Sequence, residues 1–279
     1  MEQKVRRTRL YMPGNNPNLL QNLATFNADT IILDLEDAVA PKEKVSARFL
    51  IKHALINMKF NAEKGVRINP LSTDFGRKDA EMAINAGAEI IFLPKAEFPS
   101  EIVELEKIIG NNNVLISPII ETARGVLNAD QICKAGKKVV MICFGAEDFT
   151  RDIGAERTKI GNEIFWARSM IVLAAKANGI QASDTVFSDV EDMKSLEQET
   201  KLIKSLGFDG KGVIHPSQIK VVNNVFKPTE AEIEHAKKVI AALEEAEKLG
   251  RGTASLGRKM IDKPVADRAR RILQLQKKM

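Results

Sequence analysis

Val114-Leu-Ile-Ser-Pro-Ile-Ile-Glu121 and Val139-Val-Met-Ile-Cys-Phe-Gly-Ala-Glu-Asp148 are two short, almost unbroken apolar runs, each closed by a carboxylate. Such runs are expected of strands buried on both faces of a parallel sheet. The segment between them is long enough for a helix, so the pair reads as one strand–helix–strand unit. Parallel strands bring Glu121 and Asp148 out side by side at one edge. Two hard oxygen ligands there, with open positions beside them, suit Mg²⁺. The structural alternative is a pair of rim carboxylates, each matched to a nearby Lys or Arg.

The same unit recurs on both sides of this stretch. Upstream come the strands Arg9–Met12, Thr30-Ile-Ile-Leu-Asp-Leu-Glu-Asp37, Gly65-Val-Arg-Ile-Asn-Pro70 and Glu89-Ile-Ile-Phe-Leu-Pro-Lys95. The helices between them include one after Pro41, with apolar positions Val45, Phe49, Leu55 and Met58. Another covers Asp79–Ala86 and stops at Gly87, and a third is capped by Ser100. Downstream, Phe149–Gly161 reads as a loop before a long helix that holds Trp166. Thr185–Phe187 is a weak seventh strand, and Gly212-Val-Ile-His-Pro216 is the eighth. Eight strand–helix units point to a (β/α)₈ TIM barrel over residues 1–227. An open doubly wound sheet would carry a glycine-rich phosphate fingerprint after its first strand, and none is present.

In a barrel the C-terminal strand ends converge on one mouth, where active sites sit. The polar residues at those ends are Asp34, Glu36, Asp37, Arg67, Lys95, Glu121, Asp148 and His215. The turn Pro13-Gly-Asn-Asn-Pro17 leads into a helix, and its backbone donors, from Gly14 on, could hold a substrate anion or serve only as a connection.

Residues 228–279 form a helical extension that a barrel does not need, expected to pack on a neighbouring subunit. It opens on a capping box, Thr229 with Glu232, and continues as a helix with an apolar face of Ile233, Ala236, Ile240 and Leu243, ending at Gly250. Arg251–Arg258 reads as a link rich in small residues. Asp262, just before Lys263-Pro264, suits the N-cap of a basic last helix.

The 279 residues are 44% hydrophobic and 28% charged, with net charge +5. That composition supports a full core and excludes disorder. Opposite charges are interspersed, which argues against a nucleic-acid surface. The basic cluster Lys4–Arg9 reads as a solvated face. Cys133 and Cys143 have neither metal-site nor redox spacing, and no segment has signal-peptide or membrane-spanning character, so a soluble cytoplasmic protein is expected.

Ten stretches, in order, resemble the citrate lyase β-subunit family, within the wider group of Mg²⁺-dependent lyases and aldolases acting on acyl thioesters. They are Arg6–Thr8, Met12–Asn15, Asp34–Val39, Val66–Asn69, Ile120–Thr122, Gly145–Asp148, Asp184–Asp189, Gly207–Lys211, Ile214–Pro216 and Lys259–Asp262. The resemblance implies cleavage of a citryl thioester to oxaloacetate and an acetyl thioester, with a related lyase or thioesterase acting on malyl-CoA or a similar CoA ester as the alternative. It implies Glu121 and Asp148 as metal ligands and Arg67 as the arginine facing the keto acid. Asp37 would lie beside the metal site. Asp262 would reach into a neighbouring subunit's mouth for proton transfer, making the protein a homo-oligomer, a trimer or hexamer. Pro13, Gly14, Lys95 and His215 complete the substrate-binding set. The implied partners are CoA or an acyl-carrier (gamma) subunit and an alpha subunit. Three positions depart from the family pattern: Arg9 fills a variable site, Tyr11 stands where Phe is common, and Gly257-Arg258 replaces an Asn-Gly type of pair.

Overall fold

A computed structural model describes residues 4–248, 253–256 and 259–278. They fall into two compact units, Arg6–Asn223 and the chain from Asn224 onward with the extreme N-terminus.

The first unit is a closed barrel of eight parallel strands in sequential order. They are β1 (Thr8–Pro13), β2 (Thr30–Asp34), β3 (Glu63–Arg67), β4 (Ile90–Leu93), β5 (Leu115–Ile120), β6 (Met141–Phe144), β7 (Gln181–Asp184) and β8 (Gly210–Val213). Closure is made by β1 and β8, with Thr8 opposite Lys211 and Leu10 opposite Val213. The helices that follow them are α1 (Pro17–Leu20), α2 (Lys44–Asn57), α3 (Gly76–Asn85), α4 (Pro99–Ile109), α5 (Ala123–Lys134), α6 (Ala146–Asp152), α7 (Asn162–Ala177), α8 (Met193–Leu206) and α9 (Pro216–Phe226). Inside the barrel Ile32, Ile90, Phe92, Ile119, Met141 and Cys143 form one buried apolar cluster.

Several sequence expectations shift. β6 stops at Phe144, and the chain coils into α6, where a loop was expected. Asp148 therefore sits in the first turn of a helix beside Glu147, where acidic side chains complement the helix dipole. The seventh strand is Gln181-Ala-Ser-Asp184, not Thr185–Phe187. Two of its buried polar residues have partners: Gln181 accepts from Arg6, and Asp184 from Arg168 and Lys211.

On α2 the inward face is Ala47, Ile51, Ala54 and Leu55, while Val45, Phe49 and Met58 are exposed. α4 is opened by Pro99 instead of a Ser100 cap, and the Glu101 carboxylate accepts the N–H groups of Glu97 and Phe98.

The basic N-terminal cluster is not a solvated face. Arg6 is buried and holds Glu63 through two bonds, tying the approach to β1 to the start of β3. Arg7 binds Asp29, and Arg9 lies inside the barrel wall at 1% exposure. Both cysteines are free and buried. Among the described residues no helix is long and apolar enough to cross a membrane.

The second unit contains α10 (Glu230–Lys248), β9 (Ala254–Leu256), β10 (Lys259–Ile261) and α11 (Lys263–Lys278). Thr229 and Glu232 form the capping box: each side chain accepts the other's backbone N–H. Part of the expected link is the strand β9, antiparallel to β10. Ala236, Val239 and Leu243 pack with Ile261, Ala266 and Ala269. Gly250 as the helix end and Gly257-Arg258 lie outside the described residues.

Candidate active site

The C-terminal strand ends open on a cavity of about 320 Å³. Pro13, Asp34, Asp37, Arg67, Glu121 and Asp148 line it, together with Arg9, Tyr11, Phe144, Gly145, Glu147 and Asp184.

Glu121 follows β5 directly and is 4% exposed. Its Oε2 accepts the N–H of Lys95 at 3.1 Å. Lys95 holds a left-handed conformation (φ 52°), the one such non-glycine residue among those described, and strained backbone of this kind gathers at functional sites. Its Nζ reaches Glu36 at 2.5 Å and Asp37 at 3.4 Å. Burial pushes the Glu121 carboxyl up to about 8; Glu36 and Asp148 add to that, while Arg67 and Lys95 oppose it.

Arg67 is fixed by the acidic end of β2. Its Nε and Nη2 donate to the two Asp34 oxygens at 2.7 and 2.6 Å, and Nη1 lies 3.0 Å from Glu36. Its guanidinium lies 5.2 Å from the centre of the Tyr11 ring. Asp34 also accepts the N–H groups of Glu36 and Ala38, which shapes the turn carrying Asp37. Burial raises the Glu36 carboxyl above its usual range against the pull of Arg67 and Lys95. Asp37 is exposed, and Glu36, Arg67 and Lys95 hold it below its usual range.

Asp148 pairs with the exposed Arg151 at 2.7 Å, so the rim ion pair considered from sequence is present at this acid. The start of α6 is braced from β7: the Ala146 N–H donates to Thr185 Oγ1 at 3.0 Å. Asp184, the residue before, is held by Arg168 and Lys211 and drawn down to about 2.

Two carboxylates at the rim, one of them buried with its charge poorly compensated, fit a divalent cation. Mg²⁺ commonly takes one or two protein carboxylates and keeps waters or substrate in its other positions. Among the described residues no group of three or more His, Cys, Asp or Glu gathers as a metal cage, as expected of so open a site.

Gly14, His215 and Asp262 have contacts of their own. The Gly14 N–H donates to the Asp34 carbonyl, and Asn16 caps the short α1. His215 is exposed, with Nδ1 bonded to Ser217 at 2.7 Å, and its neighbour Ile214 lines the cavity instead. Asp262 caps α11, accepting the Val265 N–H at 3.1 Å. Sequence reasoning passed over Arg9 and Tyr11 as family variations. Their alternation on β1 with Leu10 and Met12 is the signal that both face the barrel interior.

The model of the HpcH/HpaI aldolase/citrate lyase family matches residues 7–216. The chain is 42% identical to the citrate lyase subunit beta of Leuconostoc mesenteroides subsp. cremoris, over 98% of this chain and 94% of that protein. It is 36% identical to the mitochondrial citramalyl-CoA lyase of Mus musculus, over 97% and 86%. Among solved structures, the protein CitE of Mycobacterium tuberculosis in complex with magnesium, acetoacetate and coenzyme A superposes with a TM-score of 0.82 at 31% identity, covering 97% of this chain and 98% of that one. With the barrel and its acid-rimmed mouth, these similarities show that the chain belongs to the HpcH/HpaI aldolase/citrate lyase family.

Proposed function

We propose that the protein is a Mg²⁺-dependent carbon–carbon lyase that splits a citryl thioester into oxaloacetate and an acetyl thioester, as the β subunit of a citrate lyase. The observation that carries this reading is Glu121 beside Asp148 at a mouth that also presents Arg67, itself pinned by Asp34. Mg²⁺ held by Glu121 and Asp148 supplies Lewis acidity toward the substrate's hydroxyl and carboxylate. Arg67 enters the site already oriented and stays charged, so it meets developing oxyanion charge without reorganising. The tertiary hydroxyl gives up its proton, the carbon–carbon bond breaks, and its electron pair passes into the thioester enolate. That enolate is then protonated at carbon.

Asp262, delivered from a second copy, is the proposed proton carrier, which makes the active form a homo-oligomer, a trimer or hexamer. Lys95 and Asp37 set the electrostatics of the rim through their contacts with Glu36 and Glu121. The acyl group arrives on an acyl-carrier (gamma) subunit or on CoA, the alpha subunit completes the assembly, and the protein works in the cytoplasm.

The second reading is a lyase or thioesterase for citramalyl-CoA, malyl-CoA or a related CoA ester, favoured by the 36% identity to a citramalyl-CoA lyase. Side-by-side assays of citryl-, citramalyl- and malyl-CoA with Mg²⁺ decide between them. Oxaloacetate release that disappears in Glu121→Ala supports the first reading, and unchanged turnover in that variant rejects the assigned site.

A further inference from the structure

Other arginines in or beside the barrel wall are matched to acids: Arg6 to Glu63, Arg7 to Asp29, Arg67 to Asp34 and Arg168 to Asp184. Arg9 is the exception. It lines the cavity at 1% exposure, yet no carboxylate among the described residues lies within ion-pair distance of it. Its Nη2 donates to the Asp184 carbonyl at 2.8 Å and its Nη1 to the sulfur of Cys143, while Nε has no partner.

A fully buried guanidinium is normally paired, because desolvating a charge is costly unless an opposite charge meets it. Gly212 of β8 lies beside Arg9: a Cβ there would meet Val186 Cγ1 at 2.9 Å, the Tyr11 ring at 3.3 Å and Arg9 Nη2 at 3.4 Å. Nor is Arg9 the only orphan there: Ser183, in register with Cys143 on the next strand, has a buried hydroxyl without a partner.

From this unmatched cation at the cavity floor we infer that Arg9 seats a second carboxylate of the substrate, beyond the keto-acid group facing Arg67. This deepens the lyase reading and rests on it. It selects the citryl thioester, whose keto-acid product oxaloacetate carries two carboxylates, over citramalyl and malyl thioesters, whose products carry one.

The test is calorimetric binding of oxaloacetate and of pyruvate, with MgCl₂, to the full chain and to Arg9→Met and Arg9→Lys. The unchanged protein is expected to prefer oxaloacetate by about 10- to 100-fold, the range for a hydrogen bond to a charged group. Arg9→Met should lose that preference with pyruvate affinity unchanged, and Arg9→Lys should recover part of it. Without ligand, Arg9→Met should also melt at a higher temperature, since an unmatched buried charge is gone. If Arg9→Met does not fold, the preference of the unchanged protein and the response of Arg9→Lys decide. Equal affinity for the two keto acids in the unchanged protein, or a preference that survives Arg9→Met, overturns the inference. A dicarboxylate preference in a protein that cleaves no citryl thioester would leave Arg9's role standing and reject the lyase reading instead.

Discussion

Gly145 lies against the side chain of Glu121: a Cβ added to it would come within 2.6 Å of Glu121 Cγ and 2.7 Å of Oε1. The glycine between β6 and α6 is therefore what lets the acid after β5 lie across the mouth. Gly145→Ala should push Glu121 aside while leaving the barrel folded. We expect a rise of about 10- to 100-fold in the Mg²⁺ concentration for half-maximal activity, the usual scale for disturbing a ligand's support. A titration of turnover against MgCl₂ reads it, and an unchanged half-saturation point would show that Glu121 does not depend on this contact.

The Glu121 carboxyl, raised from 4.5 to about 8, makes stability and metal binding respond to pH in opposite senses. The folded chain keeps a proton that the unfolded chain has lost, so this contribution is complete below about 4.5 and disappears as pH rises through about 8. Metal affinity, which needs the carboxylate, should rise over the same window. Without Mg²⁺, the melting temperature should fall between pH 6 and 9. Glu121→Gln should flatten that fall and abolish Mg²⁺ protection. A wild-type melting curve indifferent to both pH and Mg²⁺ would count against the assignment.

Arg67 neutralises Asp34, 1% exposed, and Glu36, 3% exposed. Arg67→Met should cost about 3 kcal/mol of stability, the lower end for stranding a buried charge, and should also lose turnover. The double change with Asp34→Asn removes one stranded charge, so it should recover part of the melting temperature and none of the activity. Recovery of activity in the double variant would mean that Arg67 serves the fold alone.

How far the sequence carries differs from element to element. The runs Ile31–Leu33 and Ile90–Leu93 are legible because burial on both faces favours apolar residues. Gln181–Asp184 is not, since the burial of Gln181 and Asp184 depends on Arg6, Arg168 and Lys211, partners from distant parts of the chain. The exposed stripe of Val45, Phe49 and Met58 misleads in the other direction, because apolar spacing does not say which face looks inward. At the mouth, Glu121, Asp148, Arg67 and Asp37 are legible as polar residues ending apolar runs. Arg9 is not, because its meaning lies in a partner it lacks.

Asp184, Lys211, Arg168 and Glu199 form a buried knot behind the mouth. Lys211 and Arg168 draw the Asp184 carboxyl from 3.8 to about 2. That contribution is present above about 3.8 and is lost as pH falls through about 2. Lys211→Met leaves Asp184 to Arg168 alone, while Glu199 keeps Arg168 and, at 3.6 Å, Arg157; a loss of about 3 kcal/mol is expected, with acid unfolding shifted to higher pH. Denaturant unfolding at pH 7 and pH 4 measures both. Wild-type stability at the two pH values would show that the knot is dispensable.

Asp262 separates a capping role from a chemical one with a single atom change. As N-cap of α11 its Oδ1 accepts the Val265 N–H at 3.1 Å, a bond that an asparagine side chain makes equally well. Asp262→Asn should therefore keep the melting temperature of the wild type, while Asp262→Ala loses about 1 kcal/mol. Proton transfer needs the carboxylate itself. If Asp262 of a second copy performs it, Asp262→Asn lowers kcat by about 10²- to 10⁴-fold. Because the acid would come from another copy, mixing Asp262→Asn with the equally inactive Glu121→Ala should restore activity in hybrid oligomers: some mouths would pair an intact Glu121 with an intact Asp262. Full activity in Asp262→Asn alone would reduce the residue to its cap, and a mixture as inactive as its parents would place both groups in one chain's site.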